Sequence, residues 1–416
     1  MQAADLSPVP ADARTQSGWD LFLVFAAANI VATTLQVGAS LDAGLAPARV
    51  AAVVVVGAIV GAGIVGLLAP VGARLGVPSM VAARDALGHT GARLVAAVLF
   101  VTNFAWIAVN NAIAASVVTR MLPLGLGESA WAIAVGILST AVVARGPLAV
   151  RAADRVAVPL MLAAGLAITW VVLRLPPAPP AAAALTPTPL PVLLDVVVGY
   201  QVSWLLMFAD YSRFTASPRA SARAVFLGLA LTAVWLMPMG WRLARHAGSA
   251  DPGTMLAAAD AGVAAAILIA LATITTNFVN IYLSSLAWRS VVPAVPGGAA
   301  VWIVGLVGTA LGLTGGWLAR FADFMTLVGS VLVPVGGVFL AHFIIRPHAT
   351  DLAALYDPAG ARAGVRWPGV AAWAAGIVVY YLVPAGATMA SLAVAVGAYL
   401  ALGGRAAGDR RRAGVS

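Results

Sequence analysis

The side chains able to do chemistry in this chain are amides, hydroxyls and indoles set in the middle of apolar runs. Four runs carry most of them. The first holds Asn29, Thr33, Thr34 and Gln36, and the second Asn103, Trp106, Asn110 and Asn111. The third holds Tyr200, Gln201, Ser203 and Trp204, and the fourth Thr273, Thr275, Thr276, Asn277 and Asn280. A neutral polar group removed from water costs free energy unless it is hydrogen-bonded, so in a membrane such residues face a protein interior or a cavity. Trp106 and Asn110 are four apart and share one helical face. An indole beside an amide can stack on a flat heterocycle while pairing with its edge. Adjacent hydroxyls at Thr275 and Thr276 can offer oxygens to a hard cation such as sodium. Each feature has an ordinary alternative: amides joining helices, threonines bonding back to the preceding turn, tryptophans at the membrane interface. Trp106 lies about half-way along its run, too deep for that interface. Trp131, Trp170, Trp241, Trp288 and Trp317 are expected there.

Ionisable groups are almost absent at depth. Asp195 lies a turn or two inside its run, Asp20, Asp42 and Asp323 are terminal, and Glu128 falls in a link. No pair of carboxylates, Ser/His pair or lysine is placed for catalysis. There is no cysteine, so disulfides and thiolate metal sites are excluded. His89, His246, His342 and His348 are scattered without metal-ligand spacing. The glycine-rich stretches read as small-residue packing faces rather than phosphate loops. No cofactor is implied, and the site residues point to binding rather than catalysis.

The elements that must position these groups are membrane helices. The chain is 62% hydrophobic and 9% charged, with mean hydropathy +0.98. Soluble domains carry about 25% charged residues, so this chain cannot cover its surface with charge. Apolar runs fall near 18–43, 49–72, 93–119, 129–146, 157–174, 190–209, 223–241, 260–287, 299–316, 322–345, 369–384 and 386–403. They predict about twelve spans, most long enough to cross a core of about 30 Å. The first, third, sixth and eighth carry the polar sets. The net charge of +9 resides on arginines that lie between spans, where topology accounts for them better than nucleic acid does. With the N-terminus in the cytoplasm, Arg14, Arg74, Arg84, Arg145, Arg213, Arg346, Arg362 and Arg366 all fall inside, whereas Arg49, Arg120, Arg174, Arg242, Arg245 and Arg320 fall outside. Both termini are therefore expected on the cytoplasmic side of the inner (plasma) membrane. The expected divisions are a tail over 1–17, five spans over 18–175, a Pro/Ala-rich external link over 176–189 and five further spans over 190–346. A cytoplasmic loop with two appended spans over 347–403 and a basic tail over 404–416 follow. An odd number of spans per half inverts the second half relative to the first.

With these residues in view, the chain resembles the nucleobase–cation symporter-1 family of cytosine, purine, hydantoin and related permeases. The likeness runs from about the first span through the tenth. It is carried by GVPSMVAARDALGHTGARL, the deep Trp106, ADYSRF after the sixth run, ATITTNFVNIY in the eighth and FADFMTLVGSVLVPVGGVFLAHF in the tenth. The pattern YQVSWLLMFADYSRF is most similar to the hydroxymethylpyrimidine transporter branch. The resemblance implies an all-α, leucine-transporter-like fold of two inverted five-helix repeats plus two C-terminal helices, with broken first and sixth helices. It implies symport by alternating access of a planar heterocycle, with sodium or a proton as the coupling ion. The implied substrate contacts are Trp106, Asn110, Gln201, Trp204, Asn277, Asn280 and Asn29. The implied sodium ligands are Ala26, Asn29, Ala272, Thr275 and Thr276. Two departures touch the substrate: the second stacking aromatic of several members aligns with Gln201, a turn before Trp204, and the eighth-span asparagine falls at Asn280. No proline or glycine near Ala26–Asn29 announces a helix break.

The expectation is a symporter for hydroxymethylpyrimidine or cytosine, with no obligate protein partner and no nucleic acid. The same fold carrying an amino acid, hydantoin, purine or other small metabolite is the alternative. A polytopic membrane enzyme is a remote one, because catalytic constellations are missing. A passive channel lacks support in any repeated charged ring or filter motif.

Overall fold

The computed structural model describes residues 6–41, 44–122, 124–176, 188–292, 294–317 and 320–413. Asp42, the greater part of the 176–189 link and the end of the basic tail lie outside them. The helices are α1 (Gly18–Asn29), α2 (Ala32–Ala39), α3 (Pro47–Leu75), α4 (Ser79–Met121), α5 (Glu128–Ala144), α6 (Pro147–Arg174), α7 (Leu190–Val202) and α8 (Pro218–Ala247). They continue as α9 (Pro252–Ala258), α10 (Gly262–Val291), α11 (Gly297–Gly312), α12 (Phe321–Leu340), α13 (Leu352–Tyr356), α14 (Trp367–Leu382) and α15 (Ala387–Ala413). Among the described residues the β structure amounts to one isolated bridge, Gln16 to Thr215. Among the described residues six helices are long and apolar enough to cross a membrane, and the bent pair α1 and α2 makes a seventh crossing if it is counted as one span. Five shorter apolar helices, Glu128–Ala144, Leu190–Leu205, Gly297–Gly312, Trp367–Leu382 and Ala387–Gly403, coincide with the remaining predicted runs. The outward faces carry large apolar side chains such as Leu67, Leu166 and Leu382, which suits lipid rather than water.

Local chemistry fixes the helix ends. Ser17 and Asp20 form a reciprocal capping box at the start of α1. Pro47, Pro147 and Pro218 open α3, α6 and α8, where a missing N–H is harmless. The bundle is tight where side chains vanish. Gly38 of α2 lies against the Met237 backbone of α8 and Gly240 of α8 against the Leu35 backbone, so a Cβ at either would strike main chain. The glycine stretch of α3 is a packing face, as expected, with Gly57, Gly61, Gly66 and Gly72 against neighbouring elements, whereas Gly298, Gly315 and Gly316 meet open space.

Three features depart from the sequence reading. The third span was expected to begin near residue 93, but α4 starts at Ser79 and bends at Gly88, whose φ of 76° falls in the left-handed region. The 79–87 arm carries its own contacts, described below. Helix α9 sits between the seventh and eighth runs, where no helix was expected. Trp241, expected at the membrane interface, is buried under Arg245, with the guanidinium carbon 5.1 Å from its ring centre. Trp170 is exposed beside Arg174, as an interfacial residue should be.

Candidate functional site

The first run breaks between α1 and α2, with a bend of 57° at Ile30–Val31. Neither proline nor glycine causes it. Val31 takes extended angles (φ −134°, ψ 163°), and the groups freed by the break find side-chain partners. The Thr34 hydroxyl donates to the Asn29 carbonyl at 2.6 Å, and the Tyr200 hydroxyl lies 2.8 Å from Thr34 Oγ1 and 3.1 Å from Thr33 Oγ1. Tyr200 comes from α7, which stops at Val202 and tightens into a 3-10 turn over Ser203–Met207. The interruptions in the first and sixth runs therefore meet at one tyrosine.

Beside them lies a cavity walled by both broken runs, α4, α10 and α12. Its walls are the break in the first run (Ala28, Val31, Thr33), the middle of α4 (Thr102, Asn103, Trp106, Asn110), the sixth-run turn (Tyr200, Ser203, Trp204, Met207), α10 (Thr276, Asn280) and Leu332 of α12. Phe324 meets Trp106 edge-on at 5.0 Å between ring centres, and Phe25 meets Trp204 edge-on at 6.2 Å. Of the expected substrate contacts, the structure brings Trp106, Asn110, Trp204 and Asn280 to this cavity. Thr276, expected as a sodium ligand, lines it too.

Asn29, Gln201 and Asn277 are not among the lining residues, and their amides are used elsewhere. Asn29 Nδ2 donates to the Leu229 carbonyl and Thr232 Oγ1 of α8. Gln201 Nε2 donates to the same Leu229 carbonyl at 3.0 Å, with the side chain lying against Gly61. Asn277 Nδ2 donates to Asn111 Oδ1 at 2.7 Å, joining α10 to α4. These three hold helices together. In their place the cavity gains Asn103, Thr102, Thr33 and Tyr200. Asn103 was legible: it precedes Trp106 by three and Asn110 by seven, on the same helical face.

The cavity wall is rich in polar atoms that the protein leaves unmatched. Nδ2 of Asn103, Asn110 and Asn280, Nε1 of Trp204 and Oγ1 of Thr276 are all buried with no hydrogen-bond partner. A buried donor left unpaired costs about 1–3 kcal/mol, so five around one cavity leave it able to bond a polar ligand. Among the described residues no ionised side chain lines the cavity. Next to it, the proposed cation oxygens are partly engaged. Thr275 Oγ1 donates to the Ala272 carbonyl at 3.1 Å and faces Met161 Sδ, while the Ala26 carbonyl accepts from Ile30 N at 2.9 Å. The Asn29 carbonyl is taken by Thr34, but a carbonyl oxygen keeps a second lone pair.

Over residues 8–404 the chain matches the family described as "Permease for cytosine/purines, uracil, thiamine, allantoin". The chain belongs to this family. It is a multi-pass membrane permease, not an enzyme. Among curated proteins it is 26% identical over 342 residues to the cytosine permease of Escherichia coli (strain K12), covering 81% of this chain and 80% of that protein. The cytosine permease of Escherichia coli O157:H7 gives the same figures. Among solved structures the permease is similar to Mhp1, described as a nucleobase-cation-symport-1 family transporter in a closed conformation with bromovinylhydantoin bound. That match has TM-score 0.82 at 18% identity, over 96% of this chain and 94% of that one. A Na+-coupled sialic acid symporter, in a substrate-bound outward-open state, matches with TM-score 0.67 at 13% identity, over 96% and 91%. The permease thus has the all-helical fold of these transporters, as expected from the sequence.

Proposed function

We propose that this permease is a secondary active symporter that imports a neutral, planar, nitrogen-rich heterocycle by alternating access, coupled to a cation. The observation that carries the reading is the ring of unmatched donors and indoles around an uncharged cavity. A pyrimidine offers flat faces for Trp106 and ring nitrogens or a carbonyl oxygen for Trp204 Nε1–H, which can only donate. The amides of Asn103, Asn110 and Asn280 can present either end and so suit a ring with both donors and acceptors. Hydroxymethylpyrimidine or cytosine fits these terms. The first follows the sequence pattern after Tyr200, and the second is the cargo named for the Escherichia coli relatives. An amino acid would leave a carboxylate and an ammonium without ionised partners in the wall, which is costly.

Sodium is the coupling ion favoured by the residues present. Thr276 Oγ1 is buried and unpaired, and Thr275, Ala272, Ala26 and Asn29 supply further oxygens where α10 packs on α1. The arginine distribution supports cytoplasmic termini. On the face of the N-terminal segment, Arg14 caps α3 through the Ala73 carbonyl, and Arg84 donates to the Leu355 carbonyl. Arg242, of the outside set, donates to the Leu175 carbonyl.

The test is uptake of labelled cytosine and of labelled hydroxymethylpyrimidine into proteoliposomes, with a panel of heterocycles and amino acids as competitors and sodium and proton gradients imposed separately. Competition by pyrimidines under a sodium gradient is expected. Competition by amino acids alone would refute the reading of the cavity.

A further inference from the structure

Away from the cavity, five side chains converge on one buried carboxylate. Asp85 lies on the 79–87 arm of α4 with no exposed surface. Its Oδ1 is 2.6 Å from Arg362 Nη2 and 3.6 Å from Arg366 Nη1, and Arg366 also donates to the Asp85 carbonyl. Its Oδ2 accepts from Thr350 Oγ1 at 2.7 Å and faces two imidazoles, His348 Nε2 at 3.1 Å and His342 Nε2 at 3.4 Å. His342 belongs to a π-turn, Ala341–Ile345, that ends the tenth span, and its Nδ1 is 2.6 Å from the Tyr399 hydroxyl of α15. Arg346, His348, Thr350, Arg362 and Arg366 all belong to the segment between the tenth span and α14. That segment lies on the face of the N-terminus, where the Tyr356 hydroxyl donates to the Leu6 carbonyl.

The proton count at His348 decides what this cluster does. Its Nδ1 is 3.2 Å from the Arg346 carbonyl and its Nε2 is 3.1 Å from Asp85 Oδ2. Both partners are acceptors, so both contacts are hydrogen bonds only when both ring nitrogens carry protons, that is, when His348 is an imidazolium. The neutral ring must give up one contact or point a lone pair at a carboxylate. His342 has no such demand: with the Tyr399 hydroxyl donating to Nδ1, the neutral ring still has an Nε2–H for Asp85. His348 is 39% exposed and so can exchange protons with the aqueous phase. A divalent metal between the three ligand atoms is the rival occupant. The two guanidinium groups already on Asp85 oppose it by charge repulsion.

We propose that Asp85 and His348 form a proton-operated latch that fastens the end of the tenth span and the 346–366 segment to the 79–87 arm, tight when His348 is protonated and looser when it is neutral. The groups facing the latch are Arg84 beside Asp85, His342 on the π-turn, Arg346, Arg362 and Arg366 on the segment, and Tyr399 on α15. The same arm reaches the sixth run, because Ser79 Oγ accepts from Ala209 N at 2.9 Å. The latch therefore links the ends of two cavity-forming segments, and in the proposed orientation it reads cytoplasmic pH. It does not depend on which heterocycle is carried.

Hydrogen–deuterium exchange of the whole permease in detergent tests this, between pH 6 and pH 8, with each peptide normalised to the unfolded-chain rate at that pH. Segment 346–366 is expected to lose about three- to tenfold of its protection as pH rises, the range for a charge-assisted bond with one partner part-exposed. His348→Gln should abolish that difference. Thr350→Val, which removes a bond to the same oxygen that does not titrate, should lower protection at both pH values and keep the difference. An unchanged pH dependence in His348→Gln would overturn the latch, as would a flat wild-type profile. Protection at pH 8 that is lost to a chelator and restored by zinc would assign the cluster to a metal instead.

Discussion

Asp195 is the carboxylate nearest the middle of a span by sequence, and so the residue on which proton coupling would rest. The structure gives it another occupation. Its Oδ2 accepts from Ala387 N at 2.8 Å and its Oδ1 from Thr388 N at 3.0 Å, the first amides of α15. It caps the N-terminus of a helix from the far end of the chain, where unpaired N–H groups and the helix dipole both favour an anion. Loss of an N-terminal cap costs about 0.5–2 kcal/mol, and hydrogen bonds to a charged group lie toward the upper end. Asp195→Ala should therefore destabilise by about 2 kcal/mol, and Asp195→Asn, which keeps one acceptor, by about half that. The assay pairs thermal unfolding in detergent with uptake under separate sodium and proton gradients. Both variants should unfold at lower temperature in that order, with cation dependence unchanged. If Asp195→Asn abolished proton-driven uptake without lowering the unfolding midpoint, the residue would be a proton carrier and the capping argument would be wrong.

Trp106→Ala should weaken binding of the transported base by about 5- to 150-fold, the worth of one base–aromatic stack, and by more than Trp204→Ala. A binding titration with equal losses at both positions would show that Trp106 is not the stacking face. Asn103→Ala, at a residue outside the expected contact set, should cost about tenfold in affinity while leaving unfolding unaffected, since its Nδ2 has no protein partner to lose. Thr276→Ala should raise the sodium concentration needed for half-maximal uptake more than Thr275→Val does, because the Thr275 hydroxyl is already turned to its own helix. The reverse order in a sodium titration would move the ion away from Thr276.

Much of the architecture was legible because lipid imposes a simple rule: apolar runs long enough to cross must be helices. What escaped was local. The bend at Ile30–Val31 has no proline or glycine to announce it, because it is stabilised by Thr33, Thr34 and a tyrosine some 170 positions away, as with the 167 residues separating Thr33 and Tyr200. The 79–87 arm was missed because Ser79, Arg84, Asp85 and His89 interrupt hydropathy, although they are buried or bound to the 346–366 segment. At the site, spacing on α4 put Trp106 and Asn110 on one face, and both line the cavity, because a separation of four on one helix fixes a shared face. It could not tell whether an amide on α7 or α10 turns to the cavity or to a neighbouring helix. Gln201 and Asn277 do the latter because Leu229 and Asn111 stand within reach, and partners on other helices leave no mark on local sequence.

Tyr200 shows why such a site requires polar groups that are neither charged nor fully satisfied. Its hydroxyl holds the start of α2 through Thr33 and Thr34, while its ring lines the cavity. Its neighbour Gln201 ties the same turn of α7 to Leu229 of α8, and Asn29, at the end of α1, donates to that same carbonyl. Both broken runs are thus anchored to one point on α8, and the unmatched donors sit chiefly on α4 and α10, across the cavity. A heterocycle stacked on Trp106 and bonded to Asn103, Asn110 and Asn280, while accepting from Trp204 Nε1–H of the sixth-run turn, would bridge the two sets. Only a ligand making both halves of that bridge has a different free energy when the sets move relative to each other, and differential interaction of this kind is what lets a ligand shift a conformational equilibrium.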